Sequence, residues 1–305
     1  MKRSLFFIPV IAICALPGNA QDSRFSNSNQ NLIHLNPSFA GSNGGLRHQT
    51  SYRDQWLNIS GSYSYLNSST DFMIRPLKGA AAIEVFSSSS GDVFSSQGAA
   101  ITYARHLKLC EGRLTVMPSI RVMYTSRKAN FSNLTFGQIN TQWGFHMPMS
   151  ARKDVISFST GFAAMWGDRL TGGAYFFHVN QPDEGLLGVS PLRMRTVVHA
   201  GYTFYKGDKH QAQLLGIVGG QGSYRYTQIA LNALLFRHVI CGAGYHSNDA
   251  VFVNAGFHHR DFNVVLAYDV VVSRLAGNTG GTLELGASFS LFRPNKEVVV
   301  PFERM

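Results

Sequence analysis

Near the end of the chain, apolar and polar positions alternate with a period of two over two runs, Phe262–Ser273 and Leu283–Phe292. In the second run Leu283, Leu285, Ala287, Phe289 and Leu291 share one face, and Glu284, Gly286, Ser288 and Ser290 share the other. In the first run Phe262, Val264, Leu266, Tyr268, Val270 and Val272 oppose Asn263, Ala267, Asp269 and Ser273, with Val265 and Val271 blurring the pattern. The Gly- and Asn-rich stretch Arg274–Gly281 between them predicts a hairpin loop. The same alternation recurs upstream. Leu114, Val116, Ile120, Val122 and Tyr124 oppose Arg113, Thr115, Ser119 and Arg121, and Val251, Val253, Ala255 and Phe257 oppose Asn254, Gly256 and His258. Fourteen strands are predicted, over 46–57, 60–74, 79–88, 94–108, 113–126, 154–166, 172–180, 194–206, 209–221, 224–236, 238–246, 250–258, 262–273 and 281–292.

A soluble sandwich also alternates in this way. Here, however, most runs reach the 9–11 residues of a tilted membrane strand, whereas soluble strands average about 5–6. The polar face carries Arg, Ser and Gly instead of a solubilising charged surface. Composition points the same way. Hydrophobic residues make up 45% of the chain and charged residues only 14%, with 30 glycines, against about 25% charge in a typical soluble protein. The opening Met1-Lys2-Arg3, the apolar stretch Leu5–Leu16 and Gly18-Asn19-Ala20 predict a secretory signal peptide over residues 1–20. No later stretch is apolar for long enough to be a spanning helix. These features predict an all-β, transmembrane, antiparallel outer-membrane β-barrel over residues 46–292, whose greasy face meets lipid.

Fourteen strands put alternate connections on opposite sides. One set (Arg75–Lys78, Leu109–Gly112, Gly167–Thr171, Gly207-Asp208, Arg237, His259–Asp261) is uniformly short. The other holds the longest links, Arg127–Lys153, Gln181–Arg193 and Arg274–Gly280. Outer-membrane barrels have short periplasmic turns and long external loops, so both termini are predicted to be periplasmic, with residues 293–305 as a periplasmic tail. Around the short turns Arg75, Lys78, Lys108, Arg169, Lys206, Lys209, Arg237 and Arg260 outnumber Glu111, Asp168, Asp208 and Asp261. That basic rim suits outer-membrane lipid head groups or an acidic periplasmic partner. The formal net charge of +10 has the same reading, because an exported chain does not meet nucleic acid.

Residues 21–45 are polar and Asn/Ser-rich, with a short helix predicted over Asn31–Leu35 and stopped by the Asn36-Pro37 turn. A fourteen-stranded barrel is too wide to be filled by its own side chains, so this segment either plugs the lumen or hangs as a periplasmic tail. In the first strand Tyr52 and Trp56 fall on the lipid face, and Arg53 and Gln55 face inward. Closure sets the first strand beside the last, where Arg53 can pair with Glu284 and lies near Asp269. Cys110 and Cys241 either bridge or, as the preferred reading, stay as isolated thiols packed in strands.

Enzyme motifs are missing: there is no Gly-x-Ser-x-Gly, no His-Glu-x-x-His, no P-loop and no paired-Asp calcium loop. The adjacent His258 and His259 point to opposite faces and cannot share a metal. A Ser/His hydrolase site using His146, His178, His199 or His246 remains as a minor alternative. Two blocks carry a family resemblance: Phe25-Ser26 with Leu35–Gly41 and Tyr52–Trp56 at the start, and Tyr268-Asp269, Ser273, Leu275 and Gly280–Leu285 at the end. Together they resemble the PorP/SprF family of Bacteroidota outer-membrane proteins. The resemblance implies a barrel serving type IX secretion, without enzymatic activity or cofactor. Its implied partners are the periplasmic ring components or a cognate surface adhesin, the latter in gliding bacteria. A passive porin is the competing reading.

Overall fold

The computed structural model describes residues 22–133, 149–247, 249–273, 276–277 and 279–292. The signal segment, the 293–305 tail, His146, Leu275 and the interior of the longest link lie outside the described residues.

The ladder segments are β1 (Leu46–Gln55), β2 (Tyr63–Ile74), β3 (Gly79–Ser90), β4 (Phe94–Arg105), β5 (Leu107–Leu109), β6 (Leu114–Asn130), β7 (Ser150–Trp166) and β8 (Leu170–Phe177). They continue as β9 (Arg195–Lys206), β10 (Gln211–Gln221), β11 (Tyr224–Leu235), β12 (Val239–His246), β13 (Ala250–His259), β14 (Phe262–Val271) and β15 (Thr282–Leu291). Each pairs antiparallel with its neighbour, and β1 pairs with both β2 and β15, so the sheet closes into a barrel. The β4 and β5 segments are one strand: both pair with β6 in a single register, Ala104 opposite Ser119 and Leu107 opposite Val116. The ladder breaks only opposite Pro118, which has no N–H to donate. The wall therefore has fourteen strands, and no helix is long and apolar enough to cross a membrane.

The predicted alternation holds around the wall. Ile101, Ile120, Phe158, Val218, Val253, Leu266 and Leu285 are exposed on the outside, whereas Arg47, Asp71, Glu84, Arg121, Gln213, Gln228, Asp269 and Glu284 are buried inside. This inverts a soluble core, as lipid requires. The connections sort as predicted, with one correction. The β6 and β7 strands are 17 residues each and take up parts of the 127–153 link. At about 3.3 Å per residue, they stand well beyond a membrane's thickness at the long-loop end.

The segment before β1 lies within the wall. It contains a four-residue helix, α1 (Leu32–Leu35), between two 3-10 turns, Ser28–Gln30 and Pro37–Phe39. Residues 25–33 are buried, as are 35–43, and they pack inside the barrel. The segment traverses the lumen lengthwise, from Asp22 at the long-loop end to Gly45 at the short-turn end. The barrel's first and last strand ends, Leu46 and Leu291, do lie together. The described chain ends, Asp22 and Phe292, lie at opposite ends of the barrel, and the segments beyond them fall outside the described residues.

Candidate functional site

At the long-loop end, the Asp22 N–H donates to Gln221 Oε1 at 2.9 Å, and its carboxylate lies 2.9 Å from His178 Nε2. Ser23 is hydrogen-bonded to the Tyr63 hydroxyl, and Arg24 pairs with Asp249 at 2.9 Å. Phe25 packs edge-on to His34 and against Tyr65, with ring centroids 5.1 and 5.6 Å apart. At the other end the Ala40 carbonyl lies 2.8 Å from His106 Nε2, and the Gly41 N–H donates to Asp71 Oδ2 at 2.7 Å.

The tightest knot lies between β1, β14 and β15. Arg53 Nη2 donates to Asp269 Oδ2 at 2.8 Å and Nη1 to Glu284 Oε2 at 3.1 Å. Glu284 also accepts the backbone N–H groups of Ser26 and Asn27 at 2.8 and 3.0 Å. Ser26 Oγ donates to Asp269 at 2.7 Å and accepts from Arg53 Nη1 at 2.8 Å. One arginine thus bridges two buried carboxylates that in turn hold the plug backbone. Such charges are tolerable inside only because each is paired and hydrogen-bonded.

Asn36 caps the second 3-10 turn by accepting the Ser38 N–H, and its amide donates to the Phe162 carbonyl at 3.1 Å. The same amide lies 2.9 Å from His199 Nε2. Pro37 opens that turn, where the missing N–H costs nothing. Gln55 is half-buried at the end of β1. Trp56 lies past the strand with φ +70°, so the alternation that would align it with Tyr52 stops one residue short. The two cysteines are unbridged. Cys110 is exposed in the turn after β5, not packed in a strand, and Cys241 is half-buried in β12.

Several wall residues were not singled out from sequence. Arg47 forks onto Asp71 through Nε and Nη2 at 2.8 and 3.1 Å and reaches the Phe39 carbonyl. Glu84 takes Arg121 at 2.7 Å and Asn67, which in turn accepts from Asn31. Their signal was available, because all four charged residues stand on polar faces of alternating strands. Ser26 and His246 lie 2.9 Å apart and look like a hydrolytic pair. Yet Asp269 binds the serine instead of the imidazole, His246 Nδ1 has no partner, and Ser26 is only 1% exposed. That arrangement lacks the base-orienting carboxylate of a triad. Among the described residues no group of three His, Cys, Asp or Glu could hold a metal ion.

At the short-turn end, Arg75, Lys78, Arg169, Lys209, Arg237 and Arg260 are exposed, with Lys206 half-buried. Lys206 Nζ lies 2.6 Å from Asp168 and holds that carboxyl below its ordinary range. Arg237 Nε donates to the Asp208 carbonyl at 2.6 Å. Among the described residues, Arg75, Lys78, Arg169, Lys209 and Arg260 form no ion pair, so their charge remains on the surface.

Residues 18–289 match the model of a family described as type IX secretion system membrane protein PorP/SprF. No curated protein sequence matches the chain. Among solved structures, the CymD monoaromatic hydrocarbon channel superposes with a TM-score of 0.52 at 13% identity, covering 89% of this chain and 95% of that one. The Pseudomonas putida toluene transporter TodX gives 0.49 at 11% identity, covering 89% and 98%. Omp33 of Acinetobacter baumannii gives 0.48 at 8% identity, covering 80% and 98%. At these identities the CymD likeness concerns the barrel fold alone.

Proposed function

The chain belongs to the PorP/SprF family of type IX secretion system membrane proteins, and from that premise we propose that it is a non-enzymatic outer-membrane scaffold of type IX export, closed to solutes. The observation that carries this reading is the lumen, which residues 22–45 traverse with 25–33 and 35–43 buried against the wall. A passive porin keeps a water-filled channel. Here much of the charged wall is engaged with the barrel's own N-terminal segment.

The short turns are assigned to the periplasm by their length. The surface cations there (Arg75, Lys78, Arg169, Lys209 and Arg260) form a docking face for an acidic ring component of the export machinery. The long-loop end, extended by β6 and β7, then faces outside, where an exported adhesin would be held. Gliding follows in cells whose adhesin it anchors.

Purified full-length protein in planar bilayers should show no steady conductance, and a Gln21–Gly41 deletion should open a stable channel. Steady porin-like conductance from the intact chain would overturn the closed-scaffold reading. Docking is tested separately. Reversing Arg75, Lys78 and Arg260 to Glu should abolish copurification of ring components while leaving the folded barrel yield unchanged. Retained copurification would assign those charges to lipid head groups.

A further inference from the structure

Above the plug, at the long-loop end of the lumen, lies a cavity of about 380 Å³, a size typical of small-molecule sites. Its floor comes from the plug, through Asp22, Ser23 and His34, and its walls from β2, β3, β4, β6, β7, β9 and the residues around Phe177.

Three arginines and three carboxylates line it, and they are already matched. Arg121 pairs with Glu84 at 2.7 Å, Arg127 with Glu184, and Arg195 lies 3.7 Å from Asp22. With His34 and His178 neutral, no surplus charge is left to hold a phosphate or a carboxylate. Hydroxyl groups also line it, from Ser88, Ser90, Ser95, Ser96 and Thr125, with Ser157 Oγ lying 3.1 Å from His178 Nδ1. Tyr65, Phe86 and Phe94 supply aromatic surface on the same walls, with Phe94 itself 49% exposed. Two buried polar atoms have no partner: Arg121 Nε, on a residue only 5% exposed, and Thr125 Oγ1. A buried donor without a partner is costly, and a ligand hydroxyl would satisfy it.

A ligand that complements such walls is neutral, offers hydroxyls around its edge, and presents apolar C–H faces to aromatic rings. We propose that this cavity binds a short neutral saccharide, a mono- or disaccharide unit, from the long-loop side. Paired arginine and carboxylate groups suit vicinal hydroxyls, since the guanidinium donates while the carboxylate accepts. Because Asp22, Ser23 and His34 form the floor, the bound sugar bridges plug and wall.

The test uses full-length protein in an amine-oxide detergent, because glycoside detergents would compete. Titration calorimetry and thermal unfolding are run with glucose, galactose, N-acetylglucosamine and maltose, alongside glucuronate and benzyl alcohol. At least one neutral sugar should bind with one-to-one stoichiometry and raise the unfolding temperature as it saturates. Ser96→Trp, which fills the cavity from β4, should weaken that binding at least tenfold, about 1.4 kcal/mol. If this variant does not fold, Thr125→Val, which removes the unpartnered hydroxyl, is expected to weaken binding measurably and decides the matter. The proposal is overturned if no neutral sugar binds, if binding survives the folded variant unchanged, or if glucuronate or benzyl alcohol binds more tightly.

Discussion

Arg53 serves three elements at once: it starts on β1, neutralises carboxylates on β14 and β15, and through Ser26 reaches the plug. Replacing it with Ala leaves Asp269 and Glu284 buried without a cation, a loss of about 3–5 kcal/mol for a broken buried pair. Urea unfolding of the vesicle-embedded barrel should show a destabilisation of that order, and adding Glu284→Gln to Arg53→Ala should restore part of it. An additive double mutant would show that the charges do not act as a unit. Arg53 and Glu284 could be read from sequence because strand parity and barrel closure together fix which side chains face each other. Ser26 and His246 could not be paired in that way. Ser26 lies in a segment with no period, and only the fold brings it 2.9 Å from a residue 220 positions away.

The N-terminal segment has almost no structure that would survive alone, since a four-residue helix is far below the length at which helices persist in water. Its path is set by side chains and backbone groups meeting the wall, and its turn toward β1 depends on Gly41. That residue has φ +69° and donates its N–H to Asp71, which Arg47 holds from the other side. A side chain in left-handed backbone costs roughly 1–2 kcal/mol, and one at Gly41 would also meet Ala80. Gly41→Val should therefore loosen the short-turn end of the plug while the strands stay paired. Brief channel openings in planar bilayers, with unchanged heat-modifiable migration of the folded band, are the expected result. A silent bilayer trace would mean that closure does not depend on this turn. The sequence did suggest an inward-folding segment and the Asn36-Pro37 turn. It did not reveal which way the segment runs, because short polar residues can bond to either end of a polar lumen. The direction is set by tertiary partners such as Asp22 with His178 and Gly41 with Asp71.

For the molecule as a whole, alternation and loop length are enough to define the barrel, because lipid imposes one pattern on every strand and closure leaves few alternatives. Orientation is a further step, and the described ends of the chain now lie at opposite mouths of the barrel. If the short turns are periplasmic, Asp22 approaches the outer surface and the basic rim faces the export machinery. Two reporters separate the mouths: native Cys110 in a short turn, exposed, and a Val189→Cys substitution in the link between β8 and β9, where Val189 is 87% exposed. With Cys241→Ser as background, a membrane-impermeant maleimide should label position 189 on intact cells and leave Cys110 unlabelled until the outer membrane is permeabilised. The reverse pattern would place the cationic rim outside the cell, beyond the reach of any periplasmic ring. The docking reading would then fail, although the plugged barrel itself would stand.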